Sequence, residues 1–269
     1  MSQTPSSVGP EGWDLVADGY AEHITTVEHY AQDALDLAAP AADARVLDVA
    51  AGPGSLTRLA ARRVAHVSAL DYSPAMIGLL RADAAARGLD NVDAIVGDGQ
   101  ALPYPDASFD AGFSMFGLFM FPDRGAGLRE LHRVVRPGGR VVIASWATFD
   151  PDSPFLAIFA ALRAALPELP LQAPQMPLSD PAALHAEMSA AGFRDVRVEQ
   201  RSHEFHAASV DDLWAIHRRA NIMCAMMQQR LGPTAWARVD PIALADLRSR
   251  LGDGEVRYPQ VALLGIGER

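Results

Sequence analysis

The stretch Val46-Leu47-Asp48-Val49-Ala50-Ala51-Gly52-Pro53-Gly54-Ser55-Leu56-Thr57 decides how this chain is read. It begins as a short run of branched apolar residues, the texture of a buried strand. The strand holds a carboxylate, Asp48, near its end, and the chain then turns through two glycines into a helix-like segment from Ser55 to Arg63. Moving outward, Val67 to Leu70 reads as a second buried strand closed by Asp71. Ser73-Pro74 supplies an N-cap and an N1 proline for a helix that runs to about Arg87 and stops at Gly88. Val92 to Val96 and Phe109 to Phe113 are further strands. Leu128 to Val135 is a helix stopped by Pro137-Gly138-Gly139, and Arg140 to Ser145 is a fifth strand. Strands alternating with helices imply a parallel sheet with right-handed crossovers, so residues 45–146 predict a doubly wound α/β core.

The flanks are less regular. Apolar spacing from Trp13 to Leu37 is helical, in one or two segments ending before Pro40. Phe155 to Leu166 and Ala182 to Ala191 read as helices, joined by a proline-rich connector. Val196 to Phe205 alternates like a strand. Asp211 to Leu231 and Pro233 to Leu251 read as two helices, and Glu255 to Leu264 as a last strand.

In a doubly wound sheet, ligands sit outside the carboxyl ends of the strands, near the point where strand order reverses. Glycines there remove Cβ where a ligand must approach the backbone, and the following helix offers free N–H groups. Asp71 lies 23 residues after Asp48 and offers two acceptor oxygens to the hydroxyls of a ribose. Because Ser73 already fills the helix cap, the ribose role is preferred to a capping one. A dinucleotide fingerprint would place a third glycine at position 57, which is Thr57, and Asp48 would face a pyrophosphate with like charge. A cationic ligand suits Asp48 better.

Asp98 follows the third strand within Gly97-Asp98-Gly99-Gln100-Ala101-Leu102-Pro103-Tyr104-Pro105-Asp106-Ala107-Ser108-Phe109-Asp110. This string, together with Leu47-Asp48-Val49-Ala50-Ala51-Gly52-Pro53-Gly54, Asp71 and Arg136-Pro137-Gly138-Gly139, resembles the class I S-adenosylmethionine (SAM)-dependent methyltransferases. The likeness is greatest to the bacterial group related to ubiquinone and menaquinone C-methyltransferases, and it covers roughly residues 45–146. It implies a Rossmann-like α/β fold with seven strands, mostly parallel and with the last strand antiparallel. It further implies an N-terminal helical lid over residues 1–42, a methyltransferase domain over 43–269, and a helical insert at about 208–252. SAM is the implied cofactor, with S-adenosylhomocysteine as product.

The resemblance also distributes roles. Asp48, Ala50, Gly52 and Gly54 would surround the methionyl part, Asp71 the ribose, and Tyr72 and Met76 the adenine ring. Asp98 would accept from the adenine amino group, with Gly99 and Gln100 beside it. Ser114 would line the transfer channel, and Tyr20 would cover the cofactor from the lid. Ala50 departs from the glycine usual in the family, a single methyl that should be tolerated.

After the fourth strand the chain reads Ser114-Met115-Phe116-Gly117-Leu118-Phe119-Met120-Phe121, apolar and aromatic, without the Pro-Pro-aromatic motif of enzymes that modify DNA or protein amides. A small-molecule acceptor is therefore expected, held by Trp13, Phe116, Phe119, Trp146, Trp214 and Met223. Methionine and tryptophan at helical spacing in the insert suit a core and a pocket about evenly, and a Met-rich face also suits the surface of a homodimer. His23, His206 and His217 are the candidates for a general base, because histidine titrates near neutrality; transfer from a sulfonium also proceeds without one.

Composition bounds the alternatives. The chain has 269 residues, 49% of them hydrophobic, and a net charge of −10. All 23 basic residues are arginine, which excludes a lysine nucleophile, Schiff base or P-loop. The acidic balance argues against nucleic acid, and no run approaches the ~18 apolar residues of a membrane span, so a cytoplasmic protein is expected. With Cys224 alone, neither an internal disulfide nor a cysteine-rich zinc site forms, and no metal is expected. Two rivals remain at this stage. One is a SAM-binding protein of the same fold recruited for cyclase chemistry or cofactor sensing; the other is an NAD-linked oxidoreductase.

Overall fold

The computed structural model describes residues 9–22, 25–169, 171 and 176–269. Two short helices, α1 (Pro10–Asp14) and α2 (Ala17–Glu22), precede α3 (Thr25–Ala38). The alternating core then runs β1 (Arg45–Val49), α4 (Thr57–Ala60), β2 (His66–Asp71), α5 (Pro74–Ala86), β3 (Val92–Val96), β4 (Phe109–Met115), α6 (Arg124–Val134) and β5 (Val135–Trp146). A short 3-10 turn, Leu118–Met120, follows β4. Beyond the core come α7 (Pro154–Ala165), α8 (Pro181–Ala190), β6 (Arg194–Ala207), α9 (Val210–Ala220), α10 (Ile222–Leu251) and β7 (Val256–Glu268).

The strands form one seven-stranded sheet in the order β3-β2-β1-β4-β5-β7-β6, with β7 antiparallel to both neighbours and the β1–β5 pairs parallel. The chain lays strands to one side of β1 as far as β3 and then returns to β1's other side with β4. This reversal places a crevice between the carboxyl ends of β1 and β4.

Strand alternation divides the core. Val46, Phe113, Val142 and Ala144 face α3 and α4, where Tyr30, Ala34, Leu35 and Leu56 are buried. Leu47, Val49, Val141 and Ile143 face the other way, onto Leu128 and Leu131 of α6 and Leu184 and Met188 of α8. The α3 helix thus belongs to the sheet core, and the Tyr30 hydroxyl donates to the Gln260 carbonyl at 2.6 Å. Among the described residues of the expected 1–42 lid, α1 and α2 stand apart from it.

Boundaries differ where tertiary pairing overrides local pattern. The helix expected over 55–63 shortens to α4, since the chain spends 51–56 in turns and must enter β2 at His66. The β5 strand begins five residues early, because Arg136-Pro137-Gly138-Gly139 bulges along the sheet and pairs with the chain end through Gly138 N–H to the Arg269 carbonyl. The expected helix 211–231 breaks at Asn221, whose extended backbone ends α9 and whose side chain caps Met223 and Cys224. Gly232, at φ +73°, makes the break expected before Pro233. Among the described residues no helix is long and apolar enough to cross a membrane.

Candidate active site

Four strand ends converge on the crevice: residues 50–52 after β1, Asp71 closing β2, 97–100 after β3 and 115–117 closing β4. Two non-glycine residues here take left-handed backbone, Ala50 at φ +57° and Phe116 at φ +58°. Such a conformation is unusual for a bulky side chain and is held only where surroundings enforce it. Phe116 is enforced by stacking on Trp146 with centroids 4.1 Å apart, and by the edge of Tyr30 at 5.5 Å. Ala50 turns its methyl toward Gly117, where any Cβ would overlap it. The methyl that replaces the family's glycine therefore occupies space that Gly117 leaves open.

The carboxylates differ in environment. Asp48 is buried under the turn; Oδ2 accepts from the Thr57 hydroxyl at 2.7 Å, and Oδ1 has no hydrogen-bond partner among the described residues. Burial pushes its carboxyl up to about 7, the Thr57 hydrogen bonds oppose the rise, and the charge of Asp71 adds to it. Asp71 accepts from Gly52 N–H at 2.7 Å on one oxygen and from Ser73 N–H at 2.8 Å on the other, with the Tyr72 backbone beside them. Burial raises it as well, against those backbone bonds. Asp98 Oδ1 accepts from Gln100 N–H at 2.8 Å, and Gln100 Oε1 in turn accepts from Asp123 N–H.

Asp71, Asp98 and Gln100 border a cavity of about 150 Å³, and Asp48 lies behind its wall. Of the residues singled out in the sequence, Trp13, Tyr20, Ala50, Gly52, Asp71, Tyr72, Met76, Asp98, Gly99, Gln100 and Phe116 line it. Trp13 and Tyr20 meet edge-to-face at 6.3 Å above it, and burial, followed by the charge of Asp71, raises the Tyr20 hydroxyl to about 12. Tyr72 is 51% exposed at the rim. Gly54 and Ser114 stand behind the wall, and the Ser114 hydroxyl is buried without a partner among the described residues.

The rest of the expected set lies elsewhere. Phe119 packs between the two sheet cores, and Trp146 supports Phe116 from behind. Trp214 is 2% exposed inside a separate core of α7, α9 and α10, stacked on Trp236 and donating to Asp240 at 2.8 Å. Met223 is 37% exposed outside the cavity. His206 lies on the edge strand β6, paired with Glu255 at 2.5 Å, and His217 is buried among Phe155 and Phe205. Neither borders the cavity, and His23 lies outside the described residues. Conversely, Met115, Gly117, Met120, Phe121 and Pro122 complete the wall. The quoted aromatic run contained most of them. A 3-10 turn, not strand alternation, decides that Met120 and Phe121 face the cavity while Phe119 does not.

The donor set fits SAM. An unpartnered buried carboxylate oxygen suits an ammonium group, a carboxylate held in place by backbone N–H groups suits a diol, and an apolar flank beside Met76 suits a purine. Among the described residues no group of metal-binding side chains occurs.

Fold and crevice together define a doubly wound α/β protein whose ligand site lies at the switch point between β1 and β4. Residues 46–139 match a family model described as a methyltransferase domain. The demethylmenaquinone methyltransferase of Thermus thermophilus is 36% identical over 195 residues, which is 66% of this chain and 87% of that protein. A protein of the same name from Clavibacter sepedonicus is 43% identical over 110 residues, 41% of this chain and 44% of that protein. A putative methyltransferase from Bacillus halodurans shares the fold at TM-score 0.59 and 18% identity, covering 88% of this chain and 97% of that one. The [4+2]-cyclase SpnF does so at 0.57 and 20%, covering 90% and 81%. The chain belongs to the class I SAM-dependent methyltransferases, in the neighbourhood of the quinone methyltransferases, and SAM is its cofactor.

Proposed function

We propose that this enzyme methylates a small, largely apolar, planar acceptor at carbon, oxygen or nitrogen, and that a demethylated quinone of the kind named for its Thermus relative belongs to the acceptor class. The observation that carries this reading is the composition of the cavity wall beside the switch point: Met115, Phe116, Met120, Phe121 and Pro122 on one side and Trp13 on the other. Such a wall expels water and grips a flat ring by its faces.

Bound SAM supplies a methyl group already activated on a sulfonium sulfur. The chain's part is to position and to desolvate. Asp48, behind the Ala50–Gly52 turn, would take the cofactor's ammonium end. Asp71, Asp98 and Met76 would take its ribose and adenine, and Gly52 keeps the backbone within reach of it. Phe116, fixed by Trp146, sets the plane of the acceptor. Among the described residues, the titratable groups on the wall are Asp71, Asp98, Tyr20 and Tyr72, and none of them is a histidine. Tyr20, raised to about 12, holds its proton at neutral pH and serves as a donor, not a base. An acceptor that supplies its own acidic proton, such as a hydroquinone or enol, suits this wall better than a neutral alcohol.

The test is turnover of acceptor panels with SAM, followed by mass spectrometry. A gain of ~14 mass units with equimolar S-adenosylhomocysteine supports methyl transfer. An isomerised product of unchanged mass, with SAM intact, would replace this reading with the cyclase alternative.

A further inference from the structure

The insert supplies none of the described cavity wall, yet it is locked to the segment that does. On α2, Gly19 sits against the backbone carbonyl of Arg219 at the end of α9, so close that any Cβ at position 19 would fall inside van der Waals contact of that carbonyl. Glu22 on the same helix pairs with the Arg219 guanidinium at 2.5 Å. Ala225 of α10 packs into the cluster that Val16 and Ala17 form with Met76, Trp13 and Tyr20. At its other end this segment is tied to the core. Asp14 accepts from the Ser73 hydroxyl at 2.5 Å and from Ala75 N–H at 3.1 Å, at the start of α5.

We propose that the α9–α10 insert acts on the reaction as a seat for α1–α2, with Gly19 and Arg219 as positioning residues that hold Tyr20 and Trp13 over the cofactor. The inference rests on the reading that α1–α2 covers the cofactor site. Its physical basis is that α1 and α2, of five and six residues, are too short to hold a conformation alone. Their order comes from contacts at both ends. The core anchor fixes Asp14, and the insert anchor fixes the Gly19–Glu22 turn, which carries Tyr20 between them. This assigns a function to a segment that the bare fold does not need and whose aromatic residues build their own core.

The experiment is a chase of labelled S-adenosylhomocysteine from the full-length protein by excess unlabelled compound, with thermal melts run alongside. Gly19→Ala removes the close seat and is expected to speed release about tenfold or more. Arg219→Glu opposes Glu22 and is expected to speed it about two- to fivefold, because the pair is half exposed. Adding Glu22→Arg to Arg219→Glu restores the opposite charges and is expected to bring release back toward wild type, a rescue that general destabilisation does not produce. Arg219→Glu, a surface change, keeps the test decisive should Gly19→Ala fail to fold. Tyr20→Ala is the control for the cover itself. Fast release from Tyr20→Ala with wild-type release from the Gly19 and Arg219 variants would overturn the seat and keep the cover. Wild-type release from Tyr20→Ala would overturn the cover, and the seat with it.

Discussion

Replacing Asp48 by asparagine isolates the strongest electrostatic feature of the site. Burial lifts this carboxyl from its ordinary 3.8 to about 7 in the folded protein. At ~1.4 kcal/mol per unit, a rise of about three units corresponds to about 4 kcal/mol of pH-dependent stability. The sign follows from proton counts. Between about pH 4 and pH 7 the folded chain keeps a proton that the unfolded chain has lost. The contribution of Asp48 is therefore fully present below its unfolded value and disappears as pH rises through about 7. Denaturant unfolding of the cofactor-free protein, run for wild type and Asp48→Asn across this range, reads it directly. The wild-type stability minus that of the variant should fall by about 4 kcal/mol from pH 4 to pH 8. Subtracting the variant removes the opposite trend of carboxylates such as Glu130 and Glu199, which arginines hold below their ordinary range. Binding gives the mirror image. If Asp48 meets the ammonium end as a carboxylate, affinity for S-adenosylhomocysteine rises about tenfold per pH unit below about 7 and levels above it. Asp48→Asn should flatten that slope. A stability difference that stays flat to within about 1 kcal/mol over the whole range would refute the burial argument.

The crevice yields a compensation test: Gly117→Ala drives a methyl into that of Ala50 and should destabilise by about 1–3 kcal/mol. Adding Ala50→Gly vacates the space and relieves a left-handed alanine worth about 1 kcal/mol, so the double variant should recover most of the loss in a thermal melt; a double variant no better than the single would sink the pairing. Trp214→Ala should cost about 3–5 kcal/mol through the cavity left in the insert core. Its affinity for S-adenosylhomocysteine should hold within about threefold wherever the insert still packs against α2, since Trp214 borders no part of the cavity. A collapse of affinity without loss of stability would return Trp214 to the pocket.

The core was legible because each local signal agreed with the next. The 46–57 stretch, Asp71 closing its strand and Asp98 after the following one all sit at carboxyl strand ends, so the strands alone bring them to one crevice. The acceptor side was not legible for the opposite reason. Trp214 and His217 have the spacing of a pocket stripe, but α7 packs over them and turns that face into a core, a contact between segments some 50 residues apart that no local pattern encodes. Met120 and Phe121 were hidden by a turn whose period is neither that of a strand nor that of a helix. The early start of β5 depends on pairing with the far end of the chain. His206 carried the right chemistry, but strand order puts β6 at the sheet edge, four strands from β1.

The most direct measurement is calorimetric titration of the cofactor-stripped protein with S-adenosylhomocysteine, for wild type and for Asp71→Ala, with NADH in a parallel cell. Micromolar binding to wild type, affinity lower in the variant by about 10- to 150-fold for the lost hydrogen bonds to a charged group, and no heat from NADH are the expected results. Equal affinity in the two proteins would contradict the placement of the nucleoside at the β1–β4 crevice, and binding of NADH in place of S-adenosylhomocysteine would contradict the cofactor itself.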